Sequence, residues 1–327
     1  MHNDMVATRQ TGAFDYPAKG SHEGRYYLSA REAGRLRRSL EPYTRAAFDE
    51  ARFLESSELA QRACVLPAGL KQRLADFTCS QTGPGWFVIG NLPVDPIEGH
   101  SKPTSLTEFA LLAISARLGV TCGYATQRGG AVIQNFWPRR EHSALQLGTS
   151  DAELIWHTED SFTEYNPDFL GLLCLRGDPD AYTRVSCIKP SELDDETLEA
   201  LLQPWYVIQR DSSYGSAASK EGRTAPIISE VNGELYVRYE PIYISFLCEE
   251  ARLAHARLTK YFESNCVGIS LKPGELLLID NRRAVHGRTA ITPRYDETDR
   301  WVQRVAIWRK PLPKELLDPR RPQVILI

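Results

Sequence analysis

Two short segments, far apart in a chain of 327 residues, carry the side chains best suited to chemistry. They are Trp156-His157-Thr158-Glu159-Asp160 and Asn281-Arg282-Arg283-Ala284-Val285-His286-Gly287-Arg288. Together they offer two imidazoles and a carboxylate. Two His and one Asp or Glu on one face of a metal ion leave the opposite face open, which suits an Fe(II) centre that must also admit O2 and a co-substrate. Residues i and i+2 of a strand share one side, so His157 and Glu159 can chelate a single ion while His286 arrives from another strand. An isolated His-x-Glu pair is most often a pair of solvated surface groups. Here the first pair ends the apolar run Leu154-Ile155-Trp156, and His286 follows Glu275-Leu276-Leu277-Leu278-Ile279-Asp280. Polar groups beside buried runs are costly unless something satisfies them, and a metal would. The pattern predicts a metal site of His157, Glu159 and His286 in an iron-dependent oxygenase. His2, His22, His100, His142 and His255 have no partner at ligand spacing and read as surface residues.

The elements that must hold these groups fall into two parts. Residues 1–25 look loose. From Leu28 to about Gln61 the chain is charged, periodic and rich in Ala, Leu, Arg and Glu, which predicts helices, and Pro67 to Ala75 starts another. Trp86-Phe87-Val88-Ile89 reads as a strand after the Pro84-Gly85 break. Ser105 to Leu118 reads as an amphipathic helix, with Ser105 as N-cap and Glu108 in the capping-box position. Beyond it short β-like runs recur: Ala131–Phe136, Leu154–Trp156, Phe169–Leu175, Val185–Ile188, Tyr206–Ile208, Leu235–Tyr239, Val267–Leu271, Leu276–Ile279 and Trp301–Ile307. Helices around Ser191–Leu202 and Cys248–Asn265 interrupt them. Asn232-Gly233 between two β-like runs predicts a type I′ hairpin. The fold class is mainly β with helices. A helical N-terminal part (about 26–120) packs on a jelly-roll, or double-stranded β-helix, core (about 121–310), and residues 26–327 form one domain.

Composition narrows the function. Hydrophobic content of 42% supports a sizeable core, and a net charge of −3 with interspersed signs leaves no footprint for nucleic acid or an anionic membrane. No apolar run approaches the ~20 residues of a membrane span. The N-terminus has neither a secretory apolar region nor a transit-peptide pattern. Seven scattered cysteines without a CxxC pair read as buried reduced thiols of a cytoplasmic protein.

An iron centre of this kind needs an electron source for O2. Pro293-Arg294-Tyr295-Asp296-Glu297-Thr298-Asp299-Arg300-Trp301 places arginines a short loop beyond His286. A buried Arg facing the metal would hold the distal carboxylate of a dicarboxylic acid in a bidentate pair. Arg294, Arg300, Arg304 and Arg309 compete for that role, and spacing alone does not choose.

The runs WHTEDSF, DNRRAVHGR and PRYDETDRW resemble the clavaminate synthase-like branch of Fe(II)/2-oxoglutarate-dependent oxygenases, most of all its free amino acid hydroxylases. The resemblance spans about Gly123 to Arg304. It implies that His157, Glu159 and His286 ligate Fe(II) and that Arg300 holds the far carboxylate of 2-oxoglutarate. Thr183 is implied as the hydroxyl that also touches that carboxylate, with Ser186 as a rival. Gln127 matches the residue that reads the substrate amino group, helped by the second oxygen of Glu159. Arg304 matches the arginine for the substrate carboxylate. Glu240, in Val237-Arg238-Tyr239-Glu240-Pro241, falls where these hydroxylases carry an acid for the substrate side chain, usually Asp. Arg238 is a competing partner for it.

The implied reaction hydroxylates an unactivated C–H of a free amino acid, with a basic side chain as the leading expectation, and releases succinate and CO2. Retention of Glu159 favours hydroxylation over halogenation; desaturation or ring closure differs only in substrate position. An amino acid tethered to a carrier protein is the alternative substrate. A zinc hydrolase would use the same three ligands, but no separate general base stands near either motif. A non-catalytic jelly-roll binding protein would bind no redox metal.

Overall fold

The protein is described from a computed structural model covering residues 24–44, 65–97, 105–210 and 222–326. Most of the expected loose segment, the helical pattern beyond residue 44, His2, His22, His100 and Cys64 lie outside those residues.

The apolar run before the second motif organises the molecule. Strand Leu276–Asp280 lies between Trp86–Gly90 and Phe169–Arg176, antiparallel to both. Its side chains alternate between two cores, as the period of a strand requires. Leu276 and Leu278 join Leu70, Leu74, Phe77 and Leu111 of the helical N-terminal part. Leu277 and Ile279 join Val88 and Leu170, and meet Val185, Ile269 and Ala284 of a second sheet. Burial on both faces is why the sequence shows a continuous apolar run rather than an alternating one.

Among the described residues the first sheet has nine strands, and Trp301–Trp308 runs beside Phe169–Arg176 within it. The second has four: Val267–Ile269, Thr183–Cys187, Ala284–Arg288 and Leu154–His157. The two sheets pack face to face as a jelly-roll core that does not close into a barrel. On the outer side of the small sheet, Trp156 and Val285 pack with Tyr239 and with Ala251, Leu258 and Phe262 of helix Glu249–Ser264. Trp156 and Val285 precede His157 and His286, so burying them outward turns both imidazoles inward between the sheets.

Local signals match in several places. Helix Ala30–Leu40 starts on Ser29, whose hydroxyl accepts from the Glu32 backbone N–H while the Glu32 carboxylate returns to Ser29. Asn232 and Gly233 take φ of 55° and 78°, and the strands Ile228–Val231 and Glu234–Val237 pair across them. Helix Ser105–Ser115 stops short of Leu118, and the unexpected strand Val120–Tyr124 follows it. That strand pairs with Arg321–Ile325, whose Pro322 disguises it as non-strand. The expected run Ala131–Phe136 contracts to Gln134–Phe136. Cys79 is exposed, contrary to the expectation of uniformly buried thiols; the six described cysteines are free. Among the described residues no helix is long and apolar enough to cross a membrane.

Candidate metal centre

His157 closes strand Leu154–His157 and stands directly across the ladder from His286. The ring centroids are 4.3 Å apart. One ligand atom from each of His157, Glu159 and His286 lies within 4.8 Å of the others. The ring Nδ1 of His157 sits 2.8 Å from the Ile155 carbonyl, a contact that requires Nδ1–H and leaves Nε2 with its lone pair free. His286 Nε2 is 3.8 Å from Glu159 Oε2. Burial, with His157 and Arg304 nearby, holds the His286 pKa well below its ordinary value, so the ring is neutral and able to ligate.

Glu159 is not part of the strand, as the i, i+2 argument assumed. It sits in the turn after His157, before Asp160 at φ 55°. A side chain places it instead. Asn281, fully buried, accepts from the Glu159 N–H at 2.8 Å and donates to its carbonyl at 3.2 Å and to the Pro167 carbonyl at 2.8 Å. This reciprocal clamp substitutes for a ladder pair and joins the two motifs through backbone.

Asn281 is itself held by an ionic knot. Asp280 is 0% exposed and bonds Arg282 at 2.7 and 2.8 Å and Arg283 at 3.1 Å. The two guanidiniums reach on to the carbonyls of Thr78, in the last turn of helix Ala68–Cys79, and Gln81, just beyond it. Removing the acid leaves two buried cations with, among the described residues, only Glu234, 3.6 Å from Arg282 Nη1. Asp280→Ala is expected to cost about 3–5 kcal/mol in urea unfolding. A loss below about 1 kcal/mol would show that solvent already neutralises the pair.

The triad opens on a cavity of about 380 Å³ that also receives Gln127, Thr183, Glu240, Arg300 and Arg304. Of the four competing arginines, Arg300 is half-buried in the cavity wall with an unspent charge. It donates to Thr183 Oγ1 at 3.4 Å, has no carboxylate ion pair among the described residues, and burial lowers its pKa. Arg294 is exposed, and Arg309 is bound to Asp168 and Glu234. Ser186 points away and donates to the Asn265 carbonyl.

Arg304 lies over Phe136 with its guanidinium carbon 4.9 Å from the ring centre. It donates to Glu159 Oε1 and, at 2.7 Å, to Gln134 Oε1; Gln134 donates to Gln127 Oε1 at 3.3 Å. The second oxygen of Glu159, expected to face the substrate amine, is thus taken by Arg304. Glu240 Oε1 accepts from the N–H groups of Ile242 and Tyr243 at 2.8 and 3.3 Å, and no cationic side chain among the described residues pairs with it. Arg238 does not compete. Its Nε is buried without a partner and burial pushes its pKa down to about 10.

Two histidines read as surface residues are not. His142 is half-buried and lines the cavity. His255 is 7% exposed, stacked on Tyr239 at 4.7 Å, bonded to the Glu240 backbone, and burial pushes its pKa down to about 4. Its place on the buried face of an amphipathic helix, between Ala251 and Leu258, was the available signal.

Residues 192–306 match the family model "Taurine catabolism dioxygenase TauD, TfdA family". The chain is 32% identical over 272 residues to an L-asparagine oxygenase of Streptomyces coelicolor, covering 79% of this chain and 81% of that one. It is 29% identical over 300 residues to an L-lysine 3-hydroxylase of Catenulispora acidiphila, covering 85% and 82%. The chain belongs to the clavaminate synthase-like Fe(II)/2-oxoglutarate-dependent oxygenases. A solved asparagine oxygenase, bound to Fe(II), 2S,3S-3-hydroxyasparagine and succinate, superposes with a TM-score of 0.85 at 29% identity, covering 93% of this chain and 99% of that one.

The oxygenase's own atoms fit its metal. Glu159 Oε2 is buried with no hydrogen-bond partner, and His286 Nε2 faces it at 3.8 Å. Orphaned buried polar atoms are rare and need an explanation. Two nitrogens and one carboxylate oxygen are the donor set that non-haem Fe(II) oxygenases use.

Proposed function

We propose that the enzyme hydroxylates an unactivated C–H bond of a free amino acid with a basic side chain. In this reading His157, Glu159 and His286 hold Fe(II), and residues 26–327 act as a single oxygenase domain. Bound Fe(II) would activate O2, the oxidant, with 2-oxoglutarate giving up two electrons and leaving as succinate and CO2 while the second oxygen atom goes to the substrate C–H.

The chain's residues bind, orient and exclude water. Arg300 and Thr183 take the distal carboxylate of 2-oxoglutarate, because a half-buried guanidinium without an ion pair calls for an anion. The polar line Glu159–Arg304–Gln134–Gln127 receives the ammonium and carboxylate of the amino acid, with Gln127 toward the amine and Arg304 toward the carboxylate. Arg304 pairs with Oε1 of Glu159, which leaves Oε2 for the metal.

Glu240 carries the basic side-chain assignment. It presents a carboxylate to the cavity with no cation of the protein against it. Its backbone bonds fix the carboxylate's direction, so a cationic substrate terminus meets an oriented acceptor. Succinate release against a panel of free amino acids tests the reading directly. Lysine, arginine and ornithine should exceed asparagine and glutamate, and the opposite order refutes a cationic substrate. Glu240→Gln should weaken the preferred basic amino acid by about 2–4 kcal/mol in apparent KM while substrate-free succinate formation persists.

A further inference from the structure

Strand Ala284–Arg288 carries a second inward side chain, two residues beyond His286, to which neither the metal centre nor the substrate groups give a role. Arg288 is 4% exposed and lines the cavity. It forms no ion pair with a carboxylate among the described residues. Its guanidinium is spent on four backbone carbonyls instead: Thr289 at 3.2 Å, Gly148 at 3.1 Å, and Ser150 and Ala152 at 2.7 Å each. Three of these acceptors alternate along one segment, so residues 148–152 fold around a single planar fork. Lys has three donors on a point charge and cannot reproduce that geometry.

The strand is shaped to bring the fork there. Its register against Leu154–His157 shifts between His286, opposite His157, and Arg288, opposite Leu154. At the shift stands Gly287, where a Cβ would meet the Leu154 carbonyl oxygen at 2.6 Å. Irregular ladders of this kind re-aim side chains beside active sites.

The held segment is the returning arm of a loop that forms cavity wall. Arg139 N–H donates to the Thr149 carbonyl at 2.9 Å, and His142 bonds the Thr149 hydroxyl. Gln146 donates to the Glu153 carbonyl at 2.8 Å and accepts from the Ile155 N–H at 3.2 Å. His142, Gln146, Leu147 and Thr149 face the cavity. We infer that Arg288 is a positioning residue that pins the 148–152 segment and thereby fixes the wall against which the substrate lies. The role of the wall rests on the amino acid reading above; the pin itself does not. Burial and the neighbouring Arg300 push the Arg288 pKa down to about 9, so the wall is held by a charge placed close to another of the same sign.

The test is hydrogen–deuterium exchange of peptides spanning 146–152 in the full-length protein, with steady-state kinetics on the amino acid that the wild type prefers. Arg288→Lys keeps the charge and removes the fork. It should speed exchange in 146–152 by about tenfold or more and leave the Leu276–Asp280 strand protected. It should raise the amino acid KM about tenfold and the 2-oxoglutarate KM less than about threefold, with more succinate formed per hydroxylated product. A folded Arg288→Lys protein with wild-type exchange overturns the pin. Equal increases in both KM values overturn the wall and place Arg288 in the co-substrate site. Should Arg288→Lys not fold, Gln146→Ala loosens the same loop at an exposed position, and an unchanged amino acid KM there overturns the wall. If the wild type turns over no amino acid, the functional reading fails and exchange alone decides the pin.

Discussion

His286→Ala is expected to abolish succinate formation and to remove the weak visible charge-transfer band that Fe(II) and 2-oxoglutarate give together under anaerobic conditions. The fold should survive. His286 makes no hydrogen bond through Nδ1, and its Nε2 faces Glu159 rather than a structural partner. Replacing a desolvated, unpaired imbalance of polar atoms with a methyl group removes a penalty as it opens a small cavity. The metal-free variant should therefore melt within about 3 °C of the metal-free wild type. The metal response separates them. Fe(II) at about a hundred times its Kd stabilises a protein that binds it by about 2.7 kcal/mol, or about 4 °C for a chain of this length. The wild type should show that shift under argon and His286→Ala should not. His157→Ala should behave alike. A persisting band and an unchanged thermal shift in both variants would mean that the metal is held elsewhere.

The candidate metal site was legible because its three side chains carry two independent marks: a chemical type rare in apolar context, and neighbours whose burial fixes direction. Trp156 and Val285 must face the outer core, and that alone turns His157 and His286 inward. What the strand period did not give was Glu159, which leaves the ladder and is set by the buried amide of Asn281. An Asn beside an Arg-Arg pair looks like a polar loop in one dimension. Its meaning depends on a partner 122 positions away. Arg288 was opaque for the same reason: its acceptors are backbone carbonyls, which every residue has.

The fold followed a similar division. Leu276–Asp280 declared itself as a doubly buried strand, and Asn232-Gly233 as a tight turn, because each depends on local chemistry. Val120–Tyr124 and Arg321–Ile325 did not, because their pairing is with each other across some two hundred residues and neither run is strongly apolar. His255 was misread by treating a histidine as polar first. Its ring stacks on Tyr239 as an aromatic of the outer core and reaches the backbone of Glu240.

The arginines beyond His286 were unresolved by spacing and are separated by their surroundings, which sets up the second large effect. Arg300→Leu is expected to raise the apparent KM for 2-oxoglutarate by two to three decades, and the KM for the amino acid far less. Arg300 is half-buried in the cavity wall, it forms no carboxylate ion pair among the described residues, and it donates to the Thr183 hydroxyl. An anion arriving there forms a desolvated, charge-assisted pair, and losing one partner of such a pair costs about 3–5 kcal/mol. Leu keeps much of the volume, so the loss reports charge and hydrogen bonding rather than a collapsed pocket. Arg294→Ala supplies the control, since Arg294 is exposed and its guanidinium donates to the Thr298 hydroxyl. It should change the 2-oxoglutarate KM less than about threefold. Thr183→Val should fall between them, at about 1 kcal/mol, because it removes one hydroxyl and leaves the guanidinium in place. Equal effects of Arg300→Leu and Arg294→Ala would show that the anchor for the distal carboxylate lies outside the cavity. A selective rise in the amino acid KM would instead assign Arg300 to the substrate.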